Sequence, residues 1–82
     1  MVNEDGLPAA NLVVDARSLA CPLPLLKAKQ GLNQLAVGEV LQLLATDAGS
    51  QRDIPAYCRI SGHLLLAERL VDNAFCYWLQ KR

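Results

Sequence analysis

Cysteine is the residue type in this chain with the clearest capacity for chemistry, and it occurs at Cys21, Cys58 and Cys76. The three lie far apart, with no C-x-x-C pair and no histidine at ligand spacing, so no metal site is expected. An odd count fits a disulfide scaffold poorly, and reduced thiols are the simpler reading. Cys21 sits in the stretch Arg17-Ser18-Leu19-Ala20-Cys21-Pro22-Leu23-Pro24. Pro22 and Pro24 suit the first turn of a helix, where a missing amide hydrogen costs no internal bond. Cys21 is therefore expected at the N-cap or first position of that helix. The open amides of Leu23, Leu25 and Leu26 would then face its sulfur, together with the positive end of the helix dipole. This setting predicts a pKa modestly below the ~8.5 of a free thiol. His63, the single histidine, lies far along the chain and reads as an ordinary surface or structural residue. Exchange between sulfur nucleophiles does not need a general base in the way acyl transfer does. The plainer alternative is that Cys21 is only a small residue at a helix start.

The other two cysteines read as structural. Cys58 falls beside Ile54 and Tyr57 on one face of a helical pattern, and free cysteine is among the most buried residue types. Cys76 alternates with Tyr77 in a strand-like run and so shares a face with Trp78, opposite Phe75, Tyr77 and Leu79. Arg17, Lys27, Lys29 and Arg52 are candidates for a basic rim around Cys21, able to steer an acidic partner, although each could equally be a solvated surface charge. Leu26 points off the apolar face of the first helix, one turn from Cys21, where it could help to seat a partner.

The elements that must position these residues follow from periodicity. Leu12 to Ala16 reads as a strand. Leu25, Ala28, Leu32 and Leu35 recur at three- and four-residue steps, predicting a helix from Pro22 to about Ala36–Val37, with Gly38 beyond it. Glu39 to Thr46 reads as the second strand. Asp47-Ala48-Gly49-Ser50 opens a second helix, and Ser50 with Asp53 has capping-box spacing. Pro55 leaves two possibilities, a kinked helix from Ser50 or a start at Asp53. Gly62 ends that helix, His63–Val71 is a third strand, Asp72-Asn73 a tight hairpin turn, and Ala74–Gln80 a fourth strand. The order β-α-β-α-β-β predicts an α+β two-layer sandwich, a four-stranded mixed sheet with two helices on one face. Its other face would be open unless a partner covers it. Residues 1–10 read as a flexible tail and 11–82 as one domain.

Composition narrows the function. The 82 residues allow one domain, and 52% hydrophobic content excludes a disordered chain. Eight basic residues balance eight acidic ones, which argues against a dedicated nucleic-acid binder. No apolar run approaches the ~20 residues that span a bilayer. The start, Met1 to Asp5, lacks the basic and apolar regions of a secretory leader, so a cytoplasmic protein is expected. Neither a nucleotide motif nor a pocket-forming insertion is evident, and no cofactor is expected.

Taken together, Asp15, Cys21-Pro22-Leu23-Pro24, Gly38-Glu39, Thr46-Asp47 and Arg52-Asp53-Ile54-Pro55 resemble the TusA/SirA family of small sulfur carriers. The resemblance runs from about Leu12 to Lys81. It implies a cysteine persulfide carrier with Cys21 as the sulfur-bearing residue, shaped by Pro22, Leu23 and Pro24. The donor would be a cysteine desulfurase or related protein, and the acceptor another protein thiol. Transfer RNA thiolation, molybdenum-cofactor sulfuration, sulfur oxidation and selenium handling all occur in the family. The position between the prolines is often acidic or polar there and is Leu23 here. A carrier of this kind would work as a sulfurtransferase component rather than a self-sufficient enzyme, and a monomer is expected. The competing reading is a non-catalytic interaction or redox-sensing module.

Overall fold

Val40-Leu41-Gln42-Leu43-Leu44-Ala45 offers almost no polar side to water, so this strand belongs inside a sheet covered on both faces. The computed structural model, which describes residues 6–82, places it there. The elements are β1 (Leu12–Ala16), α1 (Leu23–Asn33), β2 (Val40–Ala45), α2 (Ser50–Ser61), β3 (Leu64–Val71) and β4 (Ala74–Gln80). The sheet order is β1-β2-β4-β3. β1 runs parallel to β2, with Val14 opposite Leu43, and β4 pairs antiparallel with both β2 and β3. Asp72 and Asn73 make the hairpin turn with φ of 51° and 64°, the left-handed conformation that these two residue types tolerate.

α1 packs over β1 and β2, and α2 over β3 and β4. Ala28 and Leu32 of α1 and Ile54 and Cys58 of α2 meet Leu41, Leu43, Tyr77 and Leu79 in one buried cluster, so both helices lie on the same sheet face. This is the expected α+β architecture. Gly31 permits the close approach of α1. A Cβ there would run into the side chains of Leu41 and Val14.

The opposite face is partly closed by the chain itself, although Val13 at its β1 edge remains exposed. Trp78 and Cys76 are only 3% and 4% exposed, packed with Val40, while Leu7, Leu44 and Ala67 lean on them. Of the tail expected over residues 1–10, residues 1–5 lie outside the described residues, and Leu7 is part of this second cluster.

Two helix boundaries differ from expectation, for tertiary reasons. α1 stops at Asn33 rather than near Ala36–Val37. The amides of Gln34 and Leu35 close onto Gly31 and Leu32 in tighter i→i−3 bonds of 3.0 and 3.1 Å. The following segment is held by others: Lys81 Nζ donates to the Leu35 carbonyl at 2.7 Å, and Ala36 N donates to Glu39 Oε1 at 2.7 Å. α2 begins at Ser50 with Gly49 as its cap and passes through Pro55, so it does not start at Asp53, and the capping box does not form. The Ser50 hydroxyl is buried and hydrogen-bonded to the Tyr77 hydroxyl at 2.8 Å. Asp47 Oδ2 accepts from the Gly49 amide at 3.0 Å instead.

The Ser50–Tyr77 bond ties the first turn of α2 to the central strand β4. Tyr77→Phe strands a buried hydroxyl and should lower unfolding stability by about 1–2 kcal/mol. Ser50→Ala combined with Tyr77→Phe should cost less than the sum of the single changes. Urea unfolding of the three variants measures both.

Candidate functional site

Cys21 lies in the loop from β1 to α1 and is exposed, whereas Cys58 and Cys76 are 5% and 4% exposed. The loop is held by short bonds rather than by burial. Ser18, at a φ of 68°, donates its amide to Thr46 Oγ1 at 2.9 Å, which ties the loop to the end of β2. Leu19 N donates to Ala16 O at 3.3 Å and Leu23 N to Ala20 O at 2.9 Å, so the chain turns twice on itself around the cysteine. Pro22, joined to Cys21 by a cis peptide, is the cap of α1, and Pro24 is buried in its first turn.

Cys21 therefore precedes the helix cap instead of occupying it. The Leu23 amide is spent on Ala20, and the Leu26 amide donates to Pro22 O at 3.1 Å. Two of the three α1 amides expected to face the sulfur are thus already taken. Its neighbour is the start of α2. A Cβ on Gly49 would meet Cys21 Cβ and Sγ in ordinary contact at 3.4 and 3.6 Å, but would stand only 2.8 Å from Asp47 Oδ2, which would have to shift.

The decisive contact is with Asp53. Cys21 Sγ donates to Asp53 Oδ2 at 2.8 Å. The hydrogen bond to a carboxylate, then desolvation, then the negative charges of Asp53 and Asp47 push the Cys21 pKa up, with Arg52 pulling the other way. This reverses the acidification expected from the sequence. A carboxylate within bonding distance outweighs the partial charge of a helix end, the more so with the Leu23 and Leu26 amides bonded elsewhere. Asp53 in turn is held below the usual carboxylate range, chiefly by the Cys21 hydrogen bond and then by Arg52. Arg52 Nε donates to Asp53 Oδ1 at 3.3 Å.

The other sequence-predicted residues distribute unevenly. Leu23 and Leu26 are each 44% exposed and form an apolar shoulder beside the loop. Lys27 is exposed. Lys29 Nζ lies 5.3 Å from the centre of the Tyr57 ring and lines a groove between α1 and α2 whose wall includes Asp53. Arg17 forms a two-pronged ion pair with Asp15, at 2.9 and 2.8 Å, and lines a groove on the other sheet face with Leu44, Cys76 and Trp78. The four cations thus do not form one rim. Asp53, Gly49 and Thr46 are the site residues that reasoning about local pattern missed. Thr46 and Asp53 were visible only as members of Thr46-Asp47 and Arg52-Asp53-Ile54-Pro55 and of the Ser50–Asp53 spacing, and Gly49 only as part of the break that opens α2. Among the described residues, no group of three acidic, histidine or cysteine side chains could hold a metal.

The family described as Sulfurtransferase TusA matches residues 12–81. This chain belongs to the TusA family. It is 39% identical over 79 residues to the sulfur carrier protein TusA of Pseudomonas syringae pv. syringae, spanning 92% of this chain and 94% of that protein. It is 40% identical over 70 residues to the sulfur carrier protein TusA of Pseudomonas putida strain GB-1, spanning 85% and 88%. The fold is shared with the SirA-like protein of Desulfitobacterium hafniense, whose crystal structure superposes with a TM-score of 0.71 at 23% identity, covering 84% of this chain and 93% of that one. Among the described residues of this TusA-family chain, no helix is long and apolar enough to cross a membrane.

Exposure and acidity act together on thiol reactivity. Burial pushes Cys58 up to about 11, and burial also raises Cys76. In the native protein, iodoacetamide should modify Cys21 alone, the other two reacting only after unfolding. The Cys21 rate should rise with pH through a midpoint above that of free cysteine, because its raised pKa keeps the thiol protonated at neutral pH. Peptide-resolved alkylation between neutral and alkaline pH checks both statements.

Proposed function

We propose that this chain is a sulfur carrier in which Cys21 alternates between thiol and persulfide. The supporting observation is an exposed thiol on a loop tied to the end of β2 and to α2, while the other two cysteines are buried. In loading, Cys21 loses its proton to solvent and its thiolate attacks the outer sulfur of a donor persulfide. The donor S–S bond breaks, a new S–S bond forms on Cys21, and the donor cysteine leaves as a thiolate that takes up a proton. In unloading, an acceptor thiolate attacks the terminal sulfur and Cys21 departs. Sulfane sulfur changes hands without an external oxidant or reductant.

Cysteine desulfurases are the donor class that fits this reading, and the acceptor is a second protein thiol in the cytoplasm. Leu23 and Leu26 offer donor and acceptor a common apolar seat. Lys27 and Lys29 stand on the same helix and are suited to steering an acidic partner. Pro22 and Pro24 stiffen the loop between successive encounters.

Incubation with a cysteine desulfurase and cysteine should add one sulfur atom to the wild type, to Cys58→Ser and to Cys76→Ser, but not to Cys21→Ser. Intact mass followed by peptide mapping reads this directly. A persulfide mapped to Cys58 or Cys76 would remove Cys21 from the role.

Docking is tested separately. Lys27→Glu with Lys29→Glu should slow loading several-fold at low ionic strength, and the difference from wild type should shrink as salt rises. Alkylation of Cys21 by a small reagent should change little. Equal loading rates at low salt would leave the apolar shoulder as the docking element.

A further inference from the structure

Asp53 presents a problem for a carrier. Its carboxylate makes the resting thiol harder to ionise, the opposite of what a permanently activated nucleophile requires. Its position is nevertheless well determined. Oδ2 accepts from Cys21 Sγ at 2.8 Å and Oδ1 from Arg52 Nε at 3.3 Å, and the helix bearing it is tied to β4 through Ser50 and Tyr77. The Asp53 side chain is 22% exposed, whereas that of Arg52 is 82% exposed. The charged groups facing Cys21 are Asp53 and Arg52 from α2 and Asp47 from the preceding loop, and the first turn of α1 adds no acidic residue.

The Cys21–Asp53 bond needs a hydrogen on Sγ, and a persulfide has none there. Its inner sulfur is bonded to carbon and to the outer sulfur. The outer sulfur of a persulfide is more acidic than a thiol and is anionic at neutral pH. Loading therefore replaces a donor–acceptor contact with two like charges, with Asp47 adding to the repulsion.

We propose that Asp53 is a positioning residue that distinguishes the empty from the loaded carrier, drawing Cys21 Sγ inward as a thiol and turning the terminal sulfur outward as a persulfide. This rests on Cys21 being the persulfide site. Loading breaks the Sγ–H···Oδ2 bond as the thiol proton leaves to solvent and the Sγ–S bond forms. Unloading breaks the Sγ–S bond in favour of the acceptor thiol. The departing Cys21 thiolate then takes a proton from solvent and remakes its bond to Asp53. The carboxylate thereby favours the empty state and opposes retention of the sulfur. Gly49 leaves the inner sulfur room on the α2 side, and the terminal sulfur points to the partner.

The test uses the full chain with three readouts. For the empty protein, Asp53→Asn should lower the pH midpoint of Cys21 alkylation and raise its rate at neutral pH by about threefold or more. At equilibrium with a fixed ratio of cysteine persulfide to cysteine, Asp53→Asn should retain several-fold more persulfide than the wild type. Arg52→Gln, at an exposed position that leaves the fold undisturbed, should do the reverse, raising the midpoint and lowering the persulfide retained at equilibrium. Circular dichroism establishes that each variant is folded, and Arg52→Gln keeps the test decisive if Asp53→Asn is not. Loading at Cys21 with midpoints and retention unchanged in the folded variants would overturn the role of Asp53 while leaving the carrier intact. Absence of label on Cys21 in the wild type would overturn the carrier reading, and this inference with it.

Discussion

A thiol that must be reached by other proteins cannot be fixed by burial, and here it is fixed by one polar contact instead. The 2.8 Å hydrogen bond from Cys21 to Asp53 joins the loop after β1 to the first turns of α2, two segments separated by more than thirty residues of chain. The rest of the molecule keeps the two ends of that bond in place. β1 and β2 run in parallel so that both loops emerge at the same end of the sheet, and Ser18 reaches across to Thr46 between them. α2 is anchored beneath Asp53 by the buried Ser50–Tyr77 pair and by Ile54 in the core. The site depends on the sheet order, and the sheet order depends on β2 and β4 being apolar on both faces.

That arrangement separates exposure from mobility and exposure from acidity. Cys21 is accessible yet held on two sides, and it is accessible yet kept protonated by its neighbour. A resting carrier with a masked thiol is protected from adventitious alkylation and oxidation, since the thiolate is the reactive species. Cys58 and Cys76 are withheld from this chemistry by packing on opposite faces of the sheet.

Much of the fold was legible in the sequence because it is written in local pattern. The alternation in Phe75 to Leu79 assigned each side chain to its correct face, and Asp72-Asn73 announced the hairpin through residues that tolerate positive φ. What local pattern could not convey is competition from distant partners. The spacing of Ser50 and Asp53 is that of a capping box, but Tyr77 takes the serine and Cys21 takes the aspartate. The apolar step to Leu35 continues the α1 pattern, but bonds from Lys81 and to Glu39 pull the chain out of the helix first. Cys21 itself was visible as the one cysteine in a loop motif. Its acidity was not, because the expected cause was local and the actual one lies on another helix.

The central claim is that a single residue both receives and surrenders the sulfur. It is tested most directly by a chase. Carrier loaded with isotopically labelled sulfane sulfur is freed of its donor, presented with an acceptor protein thiol, and sampled by peptide-resolved mass spectrometry over time. The account predicts that label leaves the Cys21 peptide at the rate at which it appears on the acceptor, with none passing through Cys58 or Cys76. Label that stays on Cys21 while the acceptor is sulfurated, or equal delivery by Cys21→Ser, would contradict it.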